Sequence, residues 1–234
     1  NVVIVSIDNS AQKASVTSIR DRWAHTQLVI TITAPDTLSL VNVILEESRK
    51  MRRLINDAER ERLTEWLTTS AGKNINPVMA GSKEFKLIMP AGYKTDINRD
   101  GLLMISAETP ATTQCVMIST SEPAHRRIDC VELANMTEKL TSAEVKGPDG
   151  KSFMVIEKRI PATCSSFSRN SRDYIELRGL WTLEGGYMGG PFISYAFVDT
   201  VAMKTVVVTG FVYAPREDKR ELLRQVEALM YCLN

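Results

Sequence analysis

Between Thr37 and Ser70 the apolar residues recur with a helical period, and this stretch constrains the rest of the fold more than any other. Val41, Ile44, Met51, Leu54, Ile55, Ala58 and Trp66 follow one another at three- and four-residue steps, with Glu46, Arg49, Lys50, Arg53, Glu59 and Arg60 on other faces. Gly72 is the expected stop. At 1.5 Å per residue such a helix is roughly 50 Å long, well beyond the usual length in globular domains. It needs a broad sheet to lie along, or a break. Acids and bases are mixed between Glu46 and Arg62, and Glu46 and Lys50 stand at the favourable four-residue step. That pattern is a solvated helix face and not a nucleic-acid patch.

The partner of this helix must come from the remaining chain. With 234 residues, 44% of them hydrophobic, there is material for one large or two small cores. No low-complexity stretch or flexible linker interrupts it, so one domain over 1–234 is expected. The net charge of +1 excludes bulk attraction to nucleic acid or to an anionic membrane surface. No apolar run approaches the roughly 18 residues of a membrane span. The opening run Val2-Val3-Ile4-Val5-Ser6-Ile7 is β-branched and lacks an initiator methionine or basic leader. It reads as the start of a chain whose targeting segment has been removed.

Strand signals dominate elsewhere. Gln27–Thr33 is a strong strand, closed by Ala34-Pro35-Asp36 after a polar stretch from Asn9 to Asp21. Phe85–Pro90, Leu102–Ser106 and Gln114–Ser119 follow as short apolar runs, then a helix at about Arg127–Leu140 and a turn at Lys146–Lys151. Further strands are expected at Phe153–Ile160, Tyr174–Leu183, Phe192–Val198 and Thr205–Tyr213. An amphipathic helix carrying Leu222, Val226, Leu229 and Leu233 ends the chain. The step from strand through Ala-Pro into helix occurs twice, at Ala34-Pro35 and Ala214-Pro215, suggesting a duplicated module with halves near 1–120 and 121–234. The expected fold class is α+β: an antiparallel-dominated sheet with the long and the C-terminal helix packed on one face.

Three groups of residues bear on function. Asp96-Ile97-Asn98-Arg99-Asp100-Gly101 matches the start of a calcium loop, but the required glutamate would fall at Ala107 and the acid is Glu108. The flanks read as strands where that motif needs helices, and a hairpin loop accounts for the same residues, so no metal ligand is assigned. The run from Arg178 to Phe192 places four glycines among six positions, freeing backbone to face an anion or a closely held ligand. Arg178, Trp181, Tyr187, Met188, Gly189 and Gly190 are its candidate ligand-binding residues; a tight strand connection is the alternative. It matches neither the phosphate-loop nor the dinucleotide pattern, and no cofactor is expected. His25 and His125 lie outside any nucleophile motif, no catalytic residue emerges, and Asp173, Glu176 and Glu184 are read as strand alternation. Finally, Cys115, Cys130, Cys164 and Cys232 lack metal or redox spacing and allow two disulfides or buried free thiols.

Arg178-Gly179-Leu180-Trp181, Met188–Phe192, Gly210–Pro215 and Lys219-Arg220 together resemble a family of Bacteroidetes cell-envelope proteins of unknown function. Weaker similarity extends through Gly147–Gly150, Pro90–Tyr93 and Trp23-Ala24. The resemblance implies export, lipidation on a cysteine that has no counterpart here, and an oxidising location where disulfides form. It carries no catalytic residue. The functional expectation is a non-catalytic envelope domain that binds a partner protein or a small ligand, without nucleic acid and touching the membrane only through a lipid anchor outside this chain. The alternative is an envelope hydrolase with a carboxylate- or metal-based site.

Overall fold

Leu28, Ile30 and Ile32 project from one side of a strand onto the apolar stripe of the long helix, and this contact organises the first part of the chain. The computed structural model describes residues 1–70, 75–80, 83–122, 127–169 and 171–233. Contacts divide the chain into two compact units, Asn1–Trp66 and Leu67–Asn234. The first holds β1 (Val2–Ile7), β2 (Ser15–Arg20), β3 (Leu28–Ala34) and all but the last four residues of α1, which runs over Thr37–Ser70 as the periodicity predicts. The sheet order is β1-β3-β2, with β1 parallel and β2 antiparallel to the central β3. Ala58 is buried against β3, and Leu40, Ile44, Met51, Leu54 and Ile55 pack around it. Asp36 starts the helix by accepting from the Ser39 backbone N–H at 2.8 Å and hydroxyl at 2.9 Å. Those two bonds, the backbone one foremost, hold its carboxyl below the ordinary aspartate value. β2 falls within the stretch expected to be only polar. As an edge strand it needs a single apolar residue toward the helix, Val16, and so carries little alternation.

In the second unit β4 (Ile75–Ala80) and β5 (Lys83–Ile88) form an antiparallel hairpin. The larger sheet contains β6 (Lys94–Arg99), β7 (Leu102–Glu108), β8 (Thr113–Ser121), β9 (Phe153–Ile156), β10 (Thr163–Arg169), β11 (Arg172–Glu184), β12 (Gly189–Asp199) and β13 (Lys204–Tyr213). Its order is β10-β11-β12-β13-β8-β7-β6, with β9 pairing the far end of β11, and every pairing is antiparallel. The α+β class with a dominant antiparallel sheet is therefore what the structure has.

The helices are distributed differently from the single covering layer expected. α1 lies on its own three-stranded sheet, while α2 (Cys130–Glu144) and α3 (Lys219–Tyr231) cover opposite faces of the large one. Thr137 of α2 donates to Ser194 on one face, and Tyr195, one residue on, donates to the Met230 carbonyl of α3 on the other. The reason is in β13: Val207 and Phe211 point to the α2 side, Val206, Val208 and Val212 to the α3 side, and all five are buried. A strand apolar on both faces must be covered twice.

The Asp96–Gly101 segment is not a helix-flanked loop. It is the end of β6 and a turn into β7, with Gly101 at φ +75°. Lys94 lies 2.7 Å from Glu108 and 3.6 Å from Asp96, so these two acids already face a side-chain ammonium group. Gly72 and His125 lie outside the described residues. Among the described residues no helix is long and apolar enough to cross a membrane.

Of the connectivities left open by the four cysteines, the structure has Cys130–Cys164, which ties the start of α2 to β10. Cys115 and Cys232 are free and buried, and burial pushes the Cys232 thiol up to about 11. Both therefore stay protonated at neutral pH.

Candidate functional site

The glycine-rich run is the hairpin joining β11 to β12, turning at Gly185 with φ +78°. Its glycines serve the ladder: Gly189 pairs with Thr182 and Gly190 with Trp181, and the Leu183 N–H donates to the Met188 carbonyl at 2.9 Å. Trp181 is buried and sends its indole N–H across Gly190 to the Val212 carbonyl of β13, 3.2 Å away. A Cβ on Gly190 would stand 2.0 Å from that carbonyl oxygen and 3.1 Å from the indole nitrogen. Gly190→Ala must push two strands apart. It is expected to cost about 2 kcal/mol or more, the penalty of overpacking, in urea unfolding.

Five of the six predicted residues meet at one place. Trp181, Tyr187, Met188, Gly189 and Gly190 line a shallow concavity of about 610 Å³, together with Ile160, Leu180 and Pro191. Tyr187 is fully exposed at the hairpin, whereas Met188 packs on the core beneath. At the rim Arg159 grips Glu157 through Nε at 3.0 Å and Nη2 at 2.6 Å, and Lys219 stands nearby. The Arg159 side-chain bond, then its backbone N–H, lower the Glu157 carboxyl to about 2. A depressed acid contributes stability above its unfolded value near 4.5 and loses it as pH falls toward 2. Arg159→Ala should return the Glu157 titration, followed by carboxyl NMR, toward 4.5.

Arg178 is not at this concavity. It lies on the α3 face and is held by two carboxylates, Glu176 at 2.6 and 3.1 Å and Glu227 of α3 at 2.5 and 3.2 Å. The Tyr231 hydroxyl adds a bond to Glu176 at 3.4 Å. Burial by itself would disfavour the guanidinium charge, but the bonds to Glu227 and Glu176 outweigh it and keep the group protonated beyond the usual arginine range. This is a fastening between strand and helix.

The other titratable candidates do not converge. Asp173 accepts from Ser168 at 2.5 Å on the α2 side of the sheet, Glu176 faces α3, and Glu184 is exposed at the strand end. His25 is exposed in the first unit, 2.9 Å from Glu65, whose hydrogen bond raises the imidazole above its ordinary value. Among the described residues no group of three or more His, Cys, Asp or Glu could hold a metal ion.

Sequence reasoning missed β10 and what surrounds it. Phe167 stacks on Tyr174 with ring centroids 4.8 Å apart, and Tyr231 stacks on Phe167 at 5.7 Å. On the other face Ser166, Ser168, Asp173, Thr200 and Arg127 edge a cavity of about 980 Å³. The run Cys164-Ser165-Ser166-Phe167-Ser168 is too polar to signal a strand; the alternation Cys164, Ser166, Ser168 against Phe167 was the available clue.

Residues 73–232 match the family described as "Domain of unknown function (DUF4837)", and residues 1–68 match "Domain of unknown function (DUF8532)". No curated protein matches the chain. Similar solved structures include the Ran-binding protein Mog1p of Saccharomyces cerevisiae, 12% identical with a TM-score of 0.40, covering 68% of this chain and 90% of that one. A mutant of protein Mog1 covers the same shares at 12% identity and a TM-score of 0.38.

Proposed function

We propose that this chain, which belongs to the DUF4837 family of domains of unknown function, is a non-catalytic binding domain of the cell envelope, and that it docks a partner protein at the β11–β12 concavity. The observation that carries the reading is the convergence of Trp181, Tyr187, Met188, Gly189 and Gly190 on one apolar hollow, with Tyr187 standing free above it. An exposed tyrosine offers a large rigid face and a polar tip, the combination that anchors protein interfaces. The hollow is shallow and open, which suits a protruding side chain better than a small molecule, since small-molecule sites enclose most of their ligand.

The envelope location draws support from the Cys130–Cys164 disulfide, because such bonds persist in oxidising compartments. The C-terminal motifs, with their resemblance to lipid-anchored Bacteroidetes proteins, point the same way. In this reading the membrane is reached through a lipid on the precursor and not through these residues.

The test is a photo-crosslinking side chain put in place of Tyr187 in the protein as its own cells make it. One protein should be captured from position 187 and not from the exposed Trp23 in the first unit. Tyr187→Ala should weaken binding of that protein about tenfold, as loss of an interface anchor does, while leaving the melting temperature unchanged. Equal yields from the two positions would overturn the assignment.

A further inference from the structure

We propose that the β10 edge of the large sheet pairs antiparallel with β10 of a second copy of this chain, about a two-fold axis through Ser166. The two edges of the sheet's main path are built differently. β6 carries Lys94, Asp96 and Arg99, and its register slips between Thr95 and Ile97. Charges and a bulge are the usual means of keeping an edge from pairing. β10 has neither over Thr163–Ser168: no charge, no proline, and an unbroken seven-residue register on β11. Apart from that ladder, no backbone N–H or C=O of β10 is hydrogen-bonded among the described residues. Its outward groups form an open template.

This edge is also fixed in place before any partner arrives. The disulfide holds Cys164 to α2, and Phe167 is stacked between Tyr174 and Tyr231. A preordered strand loses little freedom on pairing.

The strand is complementary to itself. With Ser166 on the axis, Phe167 falls opposite the partner's Ser165 and diagonal to the partner's Phe167, within reach of an aromatic ring. Arg169 falls opposite the partner's Thr163. The two Arg169 residues then lie six positions apart, about 20 Å, beyond the screening length at physiological salt. Nothing repels across the axis, and a two-fold closes the assembly at two copies. The joint is small, so the dimer is weak and appears only at high concentration.

Sedimentation equilibrium of the whole chain tests this directly. The mass should rise with concentration from 26.1 kDa toward twice that value and level there. Ser166→Lys sets two ammonium groups face to face on the axis and should leave the chain monomeric, as should Ser166→Asp. Mixed in equal amounts, the two variants should regain the doubled mass, which a folding defect could not produce. A chain that stays at 26.1 kDa throughout overturns the proposal and leaves the edge to a strand from another protein. Self-association that survives Ser166→Lys, or a mixture that stays monomeric, overturns it equally. Docking at position 187 lies on a different surface, so either result stands apart from the function proposed above.

Discussion

Replacing Cys130 and Cys164 by serine should lower the stability of the protein by about 3–4 kcal/mol. The disulfide spans 34 residues and draws β10 onto the start of α2. A loop of that length removes roughly this much chain entropy from the unfolded state. The measurement is urea unfolding with and without reductant. Wild type should lose its advantage when reduced, and the double variant should not respond at all. Thiol titration in denaturant should count two groups before reduction and four after it, because Cys115 and Cys232 are free. A midpoint indifferent to reductant would reject the bond's structural role.

Arg178→Ala should destabilise by a similar amount, about 3–4 kcal/mol, because it takes the shared cation from two mostly buried carboxylates. The Glu176 and Glu227 side chains are only 10% and 9% exposed and share this one guanidinium. Removing one member of a buried ion group leaves charge in a poorly solvating place, whereas replacing every member by apolar groups costs far less. Arg178→Met combined with Glu176→Leu and Glu227→Leu should therefore recover most of the loss in thermal or urea unfolding. Had Arg178 been a ligand contact, alanine would weaken binding and spare stability; the geometry requires the reverse.

The β11–β12 hairpin shows what in this region is legible from sequence and what is not. Trp181, Tyr187, Met188, Gly189 and Gly190 were picked out by composition and do share a hollow, because a hairpin keeps neighbours in sequence neighbours in space. Arg178 was grouped with them and lies elsewhere, since alternation along β11 turns it to the α3 face, toward a glutamate 49 residues on. The glycines suit either a backbone-facing ligand or a tight strand connection, and the structure has the connection: the Val212 carbonyl reaches Gly190 from a strand more than 20 positions away. No local pattern reports such a neighbour.

Helix α1 over Thr37–Ser70, strands β9, β11, β12 and β13 and the α+β class were determined by the sequence itself, because they follow from period and local backbone preference. β2, β6 and β10 escaped it: each is an edge strand, paired on one side only and short of the alternation that marks a buried strand. The tertiary structure alone decided which cysteines join, which face each helix covers, and that Asp96 and Glu108 share Lys94. Those outcomes depend on residues brought together by the ladder's register, over separations at which the chain keeps no memory of spacing. Period is a property of a segment; pairing is a property of the closed fold.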